Sequence, residues 1–231
     1  MTSIINKSPG PFKAVLFDLD GTLLDTLEDL AVSLNSILEK HGYPTHSLDE
    51  CRMLVGFGMK ALVRSSLPEE SRDDSIVEPL MKEMQESYEK NWKVNSRAYE
   101  GIDRLLDSID RLGLKKAILS NKPDRFTRLC ADELLSSWTF DMVLGHREGM
   151  THKPDPQGAL FVSEFLGEDP SSILYVGDSG IDMQTATASG MYPLGVLWGF
   201  RPEKELLDSG AASLVSSPEE IIAMLSPSEK I

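Results

Sequence analysis

Cysteine is nearly absent from this chain. Cys51 and Cys130 are the only two in 231 residues, too few for a disulfide framework. Positive charge is also scarce: 23 Lys and Arg face 37 Asp and Glu, for a formal net charge of −14. That balance argues against a nucleic-acid surface, which needs a basic stripe, and against electrostatic attachment to anionic lipid. Any site for an anionic substrate must therefore supply its own local positive charge. No apolar run approaches the ~18 residues of a transmembrane helix. Residues 1–12 lack the apolar core of a signal peptide. Repeats and low-complexity tracts are missing too. The setting expected from these absences is reduced and cytoplasmic, with no nucleic-acid or membrane partner. A monomer or small homo-oligomer is expected.

What is present reads as an α/β protein. The length suits one large domain or a domain carrying an insertion, and a domain of about 150 residues already hides ~70% of its unfolded surface. The apolar run Ala14-Val15-Leu16-Phe17 reads as a buried strand, and Asp18-Leu19-Asp20-Gly21-Thr22 follows it directly. Two carboxylates thus stand one residue apart at a strand's C-terminal end, where ligands bind in open α/β sheets. Like charges so close repel unless a cation or a shared proton offsets them.

Leu27, Leu30, Ala31, Leu34, Ile37 and Leu38 then recur at helical spacing. A second helical pattern covers residues 49–67, interrupted at Gly56-Phe57-Gly58, and a third covers residues 75–92. No strand-like run falls within residues 25–95. From Tyr99 on, helix and strand alternate. Strands are expected at 117–119, 141–144, 173–176 and 194–197, with helices at 102–112, 123–135, 156–166, 181–189 and 218–225. This rhythm means a parallel sheet covered on both faces. The expected fold is a doubly wound parallel sheet of at least five strands, spatial order 3-2-1-4-5, with an all-helical cap inserted in its first β-to-α connection. The core would be residues 12–24 plus 97–226, the cap residues 25–96, and residues 1–11 and 226–231 loose.

Four strand ends or loops carry polar residues in order: Asp18 and Asp20, then Ser120 and Asn121, then Lys153, then Asp178 with Asp182 four residues on. Each type has a task in phosphoryl transfer. A carboxylate can attack phosphorus and split one hard step into two. Charge accumulating on phosphoryl oxygens needs metal, cation and N–H donors aimed at it. Mg²⁺ suits, being a hard cation that takes few carboxylates and keeps several waters. Asp18, the main-chain carbonyl of Asp20, and Asp178 could form its protein shell. Ser120 could bind phosphate oxygens, Lys153 adds positive charge, and Asp20 remains free for proton transfer.

These residues resemble the motifs of the haloacid dehalogenase superfamily in its phosphatase branch. Asp18-Leu19-Asp20-Gly21-Thr22-Leu23 matches the form D-x-D-G-T-[LV]. Leu119-Ser120-Asn121-Lys122, His152-Lys153-Pro154, and Gly177-Asp178 with Asp182 match the other three motifs in order. The resemblance covers residues 12–225. It implies that Asp18 is the nucleophile and a Mg²⁺ ligand, forming an aspartyl-phosphate, and that Asp20 is the general acid/base and a ligand through its carbonyl. Thr22, Ser120 and Asn121 would contact phosphate or order the loop. Lys153 would stabilise the phosphoryl charge and hold Asp18. Asp178 would be the third ligand, and Asp182 a ligand or the orienter of one.

An aspartate at position 20 separates the chain from P-type ATPases, phosphonatases and haloacid dehalogenases, which carry Thr, Ala and an aromatic residue there. Val55-Gly56-Phe57-Gly58 with Leu62 is similar to a cap stretch of phosphoglycolate phosphatases, and gives Gly56 and Gly58 as substrate-loop candidates. Trp198-Gly199-Phe200-Arg201 is similar to the same group. Glu100-Gly101 and Ser189-Gly190 depart from that group's Pro-Gly and Ala-Gly. The implied substrate is a small phosphorylated metabolite, 2-phosphoglycolate first, with pyrophosphate, a sugar phosphate or a phosphosugar-mutase reaction as alternatives. Lys60 and Arg64 are candidates to reach a substrate carboxylate. Met81 and Met84 read as cap core, and both cysteines as inert thiols.

Overall fold

The computed structural model describes residues 4–5 and 11–226. The chain runs through β1 (Ile4–Ile5), β2 (Ala14–Phe17), β3 (Leu24–Asp25), α1 (Leu27–Lys40), α2 (Leu48–Leu54), α3 (Met59–Ser66), α4 (Asp74–Asn91) and β4 (Arg97–Ala98). It continues through α5 (Ile102–Arg111), β5 (Lys115–Pro123), α6 (Asp124–Leu134), β6 (Met142–His146), α7 (Gln157–Leu166), β7 (Ile173–Gly177) and α8 (Gly180–Ser189). The last elements are β8 (Tyr192–Val196), α9 (Glu203–Asp208), β9 (Ser213–Val215) and α10 (Pro218–Leu225).

The main sheet has the order β1-β9-β8-β7-β2-β5-β6. Six strands are parallel, and β1 joins antiparallel at the edge. The five strands legible in the sequence occupy β6-β5-β2-β7-β8, the expected spatial order. β2 is central because every one of its residues is buried, as a strand covered on both faces must be. Val15 and Phe17 pack into one apolar cluster, Ala14 and Leu16 into the other, so the two-residue alternation of the strand feeds both layers. The register sets Phe17 beside Ile118 on one side and Val176 on the other. Asp18, the end of β5 and Gly177-Asp178 therefore emerge at one edge of the sheet.

Several details depart from the sequence reading. β9 and α9 were not expected; both are short, with little periodicity to mark them. β1 lies in a segment expected to be loose, and is ordered by pairing with β9. The rest of the expected loose ends, residues 1–3, 6–10 and 227–231, falls outside the described residues. β5 runs on to Pro123 across a register shift, beyond its expected end. β3 and β4 pair as a separate two-stranded ribbon. This ribbon stands where the chain enters and leaves its block of four helices. Buried Asp29 fastens the return: its carboxylate accepts from the backbone N–H groups of Asn95 and Ser96 and from both their side chains. The break between α2 and α3 falls at Gly56 and Gly58, both at positive φ, where glycine avoids a Cβ clash.

Candidate active site

Asp18 sits at the tip of β2, its N–H donated to the Val176 carbonyl at 2.9 Å. Lys153, buried in the loop before α7, bridges two carboxylates: its Nζ lies 2.7 Å from Asp18 Oδ1 and 2.7 Å from Asp182 Oδ1. A third bond, of 3.1 Å, goes to the Leu119 carbonyl. Burial works against the ammonium charge, but Asp18 and Asp182 outweigh it and hold Lys153 well above the usual lysine range. Asp18 is pushed well above the usual carboxylate range by burial, against the pull of Lys153.

Asp178 follows β7. Its Oδ1 accepts from Thr22 Oγ1 at 3.1 Å and its Oδ2 from the Phe200 N–H at 2.7 Å. Burial, then repulsion from Asp182, pushes its pKa up to about 7. Two glycines make room for it. A Cβ on Gly21, which has φ +88°, or on Gly199 would collide with the Asp178 side chain. Asp182 serves the first turn of α8, where its Oδ2 accepts from Ser179 N and Oγ in a capping box.

Carboxylate oxygens of Asp18, Asp178 and Asp182 lie within 4.8 Å of one another. Three buried carboxylates share one lysine, so a divalent cation would complete the charge balance, and all-oxygen donors suit a hard ion. The three are not equivalent. Asp182 accepts a charged lysine bond and a full capping pair, whereas Asp178 accepts only from neutral donors and Asp18 receives Lys153 on one oxygen.

Asp20 faces a different environment. Its Oδ1 accepts from Thr26 Oγ1 at 2.6 Å and from Lys122 Nζ at 2.7 Å. Lys122 is buried, with its ammonium 4.8 Å from the ring centroid of Tyr88 on α4. It was not picked out as a functional residue from the sequence, although it stood within the second motif. The signal available was alternation: continuing β5 past Asn121 places Ser120 and Lys122 on one face.

Ser120 Oγ accepts the Lys122 N–H at 3.1 Å. Asn121 works as a clamp: its Oδ1 accepts the Lys153 N–H at 2.8 Å, and its Nδ2 donates to the carbonyls of Lys153 and Gly56 at 3.1 and 3.0 Å. One cavity joins these groups. Asp18, Asp20, Ser120, Asn121 and Lys122 form its floor. Leu30, Val55, Gly56, Gly58, Met59 and Leu62 form the wall opposite. Lys60 and Arg64 do not line it. Lys60 pairs with Asp74 at 3.1 Å and Glu78 at 2.9 Å, and Arg64 pairs with Asp74. Both cations are engaged on the outer face of the helical block. Cys130 is held inert by burial, which pushes its thiol up to about 11.

A strand-end carboxylate joined through a buried lysine to an acidic cluster, at the tips of a doubly wound sheet, has the charge arrangement that phosphoryl transfer needs. Residues 15–196 match the haloacid dehalogenase-like hydrolase family, and the chain belongs to it. An N-acetylmuramic acid 6-phosphate phosphatase of Pseudomonas aeruginosa is 34% identical over 214 residues, covering 92% of this chain and 94% of that protein. A phosphoglycolate phosphatase of Nitrosospira multiformis is 34% identical over 225 residues, covering 95% and 98%. In a crystal structure from Lactobacillus delbrueckii subsp. bulgaricus, whose assignment as a phosphoglycolate phosphatase is provisional, 98% of the chain superposes on 93% of this one. The TM-score is 0.87 and the identity 28%. The chain is a phosphatase of this family.

Proposed function

We propose that the protein is a Mg²⁺-dependent phosphomonoester hydrolase that works through an aspartyl-phosphate on Asp18. The observation that carries this reading is Lys153 spanning Asp18 and Asp182 beside Asp178, with oxygens of the three carboxylates within 4.8 Å. Asp18, the Asp20 carbonyl and Asp178 would hold the metal, with Asp182 fixing Lys153 and the α8 turn. Mg²⁺ supplies positive charge for the phosphoryl oxygens and screens the repulsion between the carboxylates. Asp18 attacks phosphorus; the leaving oxygen takes a proton from Asp20; Asp20 then takes a proton from the water that cleaves the aspartyl-phosphate, releasing inorganic phosphate. Lys153 neutralises Asp18 and faces the charge that builds up. Ser120 and Thr22 order the phosphate side of the site.

Residues 25–96 are read as a cap on a core of residues 12–24 plus 97–226. The β3–β4 ribbon, which marks both crossings of the chain, supports this reading, and closing such a cap excludes water from the reaction. The first substrate reading is 2-phosphoglycolate, supported by the activity named for several relatives. A second is a phosphorylated sugar. It is supported by the apolar cap wall, by Lys60 and Arg64 pairing with Asp74 and Glu78 instead of lining the cavity, and by the P. aeruginosa relative. The test compares kcat/KM for 2-phosphoglycolate, N-acetylmuramic acid 6-phosphate, glucose 6-phosphate and pyrophosphate, with and without Mg²⁺. Absence of Mg²⁺-dependent phosphate release from all four would sink the reading.

A further inference from the structure

Arg201 is a buried cation on the core that spends itself on the helical block. Its guanidinium donates to three backbone carbonyls at the end of α2: that of Arg52, that of Met53 at 3.0 Å, and that of Val55 at 2.6 Å. Those carbonyls are among the acceptors that a helix leaves unsatisfied at its C-terminus, and they carry the negative end of its dipole. A planar fork of donors suits several such acceptors at once. On its other edge, Arg201 Nε lies 3.5 Å from Glu205, and Glu205 accepts the Gly180 N–H at the start of α8.

The segment so gripped leads straight into Gly56 and Gly58, which wall the cavity. The loop that carries Arg201 is itself fixed to the acidic cluster. Phe200, the preceding residue, donates its N–H to Asp178, Trp198 Nε1 donates to the Thr22 carbonyl at 3.0 Å, and Gly199 lies against Asp178 and Gly21.

We propose that Arg201 is a positioning residue that latches residues 52–58 closed over the phosphoryl site and ties that closure to the Asp178 loop. The proposal rests on reading residues 25–96 as a cap. Opening would break the three bonds on Arg201 and the single Asn121–Gly56 bond, while leaving the Asp18–Lys153–Asp182 bridge intact. Acetyl phosphate serves as the probe that needs least from closure, because its leaving group is small and requires no proton.

The test is Arg201→Met, with Arg201→Lys as the milder variant should the first fail to fold. Loss of the latch is expected to raise KM for the best phosphoester about tenfold or more, the scale of one or two lost charge-assisted bonds. Its kcat should change much less, and turnover of acetyl phosphate should stay near wild type. Arg201→Lys should fall between. A second readout is independent of turnover. Arg201 occupies the carbonyl of the Arg52–Met53 peptide bond, a trypsin site, so Arg201→Met should speed native-state cleavage there. Equal losses on both phosphate donors, or unchanged KM, would overturn the latch, as would unchanged cleavage at Arg52. Wild-type protein without Mg²⁺-dependent turnover would refute the proposed activity instead, and the proteolysis arm would still decide the latch.

Discussion

Replacing Lys153 by Met removes one charge at nearly constant volume, and the structure gives the size of the effect. Lys153 and Asp182 are essentially out of solvent, with side-chain exposures of 5% and 0%. In the metal-free protein three carboxylates share this one cation, a formal balance of −2 when all are ionised; the variant leaves a formal −3, which bound protons on the raised carboxylates Asp18 and Asp178 reduce only in part. Breaking a buried ion pair by removing one partner costs about 3–5 kcal/mol, a large share of the ~5–15 kcal/mol that holds a folded domain together. With a urea m-value of ~3 kcal/mol/M for a chain of this size, the midpoint should fall by ~1–2 M. Mg²⁺ restores part of the missing charge. At a hundred times its Kd it should return ~2.7 kcal/mol, so stability recovers in part. Activity does not, because Asp18 has lost the group that holds it. The assay is urea unfolding of both proteins with and without Mg²⁺, alongside phosphate release. A metal-free variant as stable as wild type would refute the assignment of Lys153 as the counter-charge of the cluster.

Asp18→Asn should cut turnover by roughly a thousandfold or more, as loss of a nucleophile does; phosphate release near the wild-type rate would exclude attack by Asp18. Lys122→Met strips Asp20 of its cation and should lower kcat by about a hundredfold, the lower end of the ~10²–10⁴-fold share of general acid–base catalysis, with a stability loss visible in urea; unchanged kcat would remove Lys122 from the site. Stability of the metal-free protein should depend on pH through the two raised carboxylates, Asp18 and Asp178; Asp178 shows the sign. Its folded pKa, pushed up to about 7 by burial and by repulsion from Asp182, means that the folded state keeps a proton the unfolded chain releases. Stability from this group therefore falls as pH rises from the usual carboxylate range to about 7, by roughly 1 kcal/mol per unit, and levels off above. Thermal melts of the metal-free protein across that range should show the decline; saturating Mg²⁺ should flatten it, and Asp178→Asn should make it shallower, leaving the share of Asp18, which burial also pushes up. A slope unaffected by both would place its origin elsewhere.

The sheet was legible because parallel strands covered on both faces are continuous apolar runs, as at residues 14–17 and 173–176. Their charged ends stood out against them. β9 and α9 were not legible, being short elements made by docking rather than by pattern. Lys122 could have been found by carrying the alternation of β5 two residues further. Lys60 and Arg64 looked equally available in the sequence, and only their pairing with Asp74 and Glu78 removes them from the cavity.

Order along the chain thus determined the class of chemistry. Asp18, Asp20, Ser120, Lys153 and Asp178 follow strand ends that one doubly wound sheet must bring to one edge. Tertiary structure decided which partner each acquires. Asp182 receives Lys153, Asp20 receives Lys122, and Arg201 grips three carbonyls of the helical block. The reason is physical. Side-chain identity is written in the sequence, but backbone carbonyls carry no residue-specific mark, and a lysine's choice between nearby carboxylates is settled only by distance and burial.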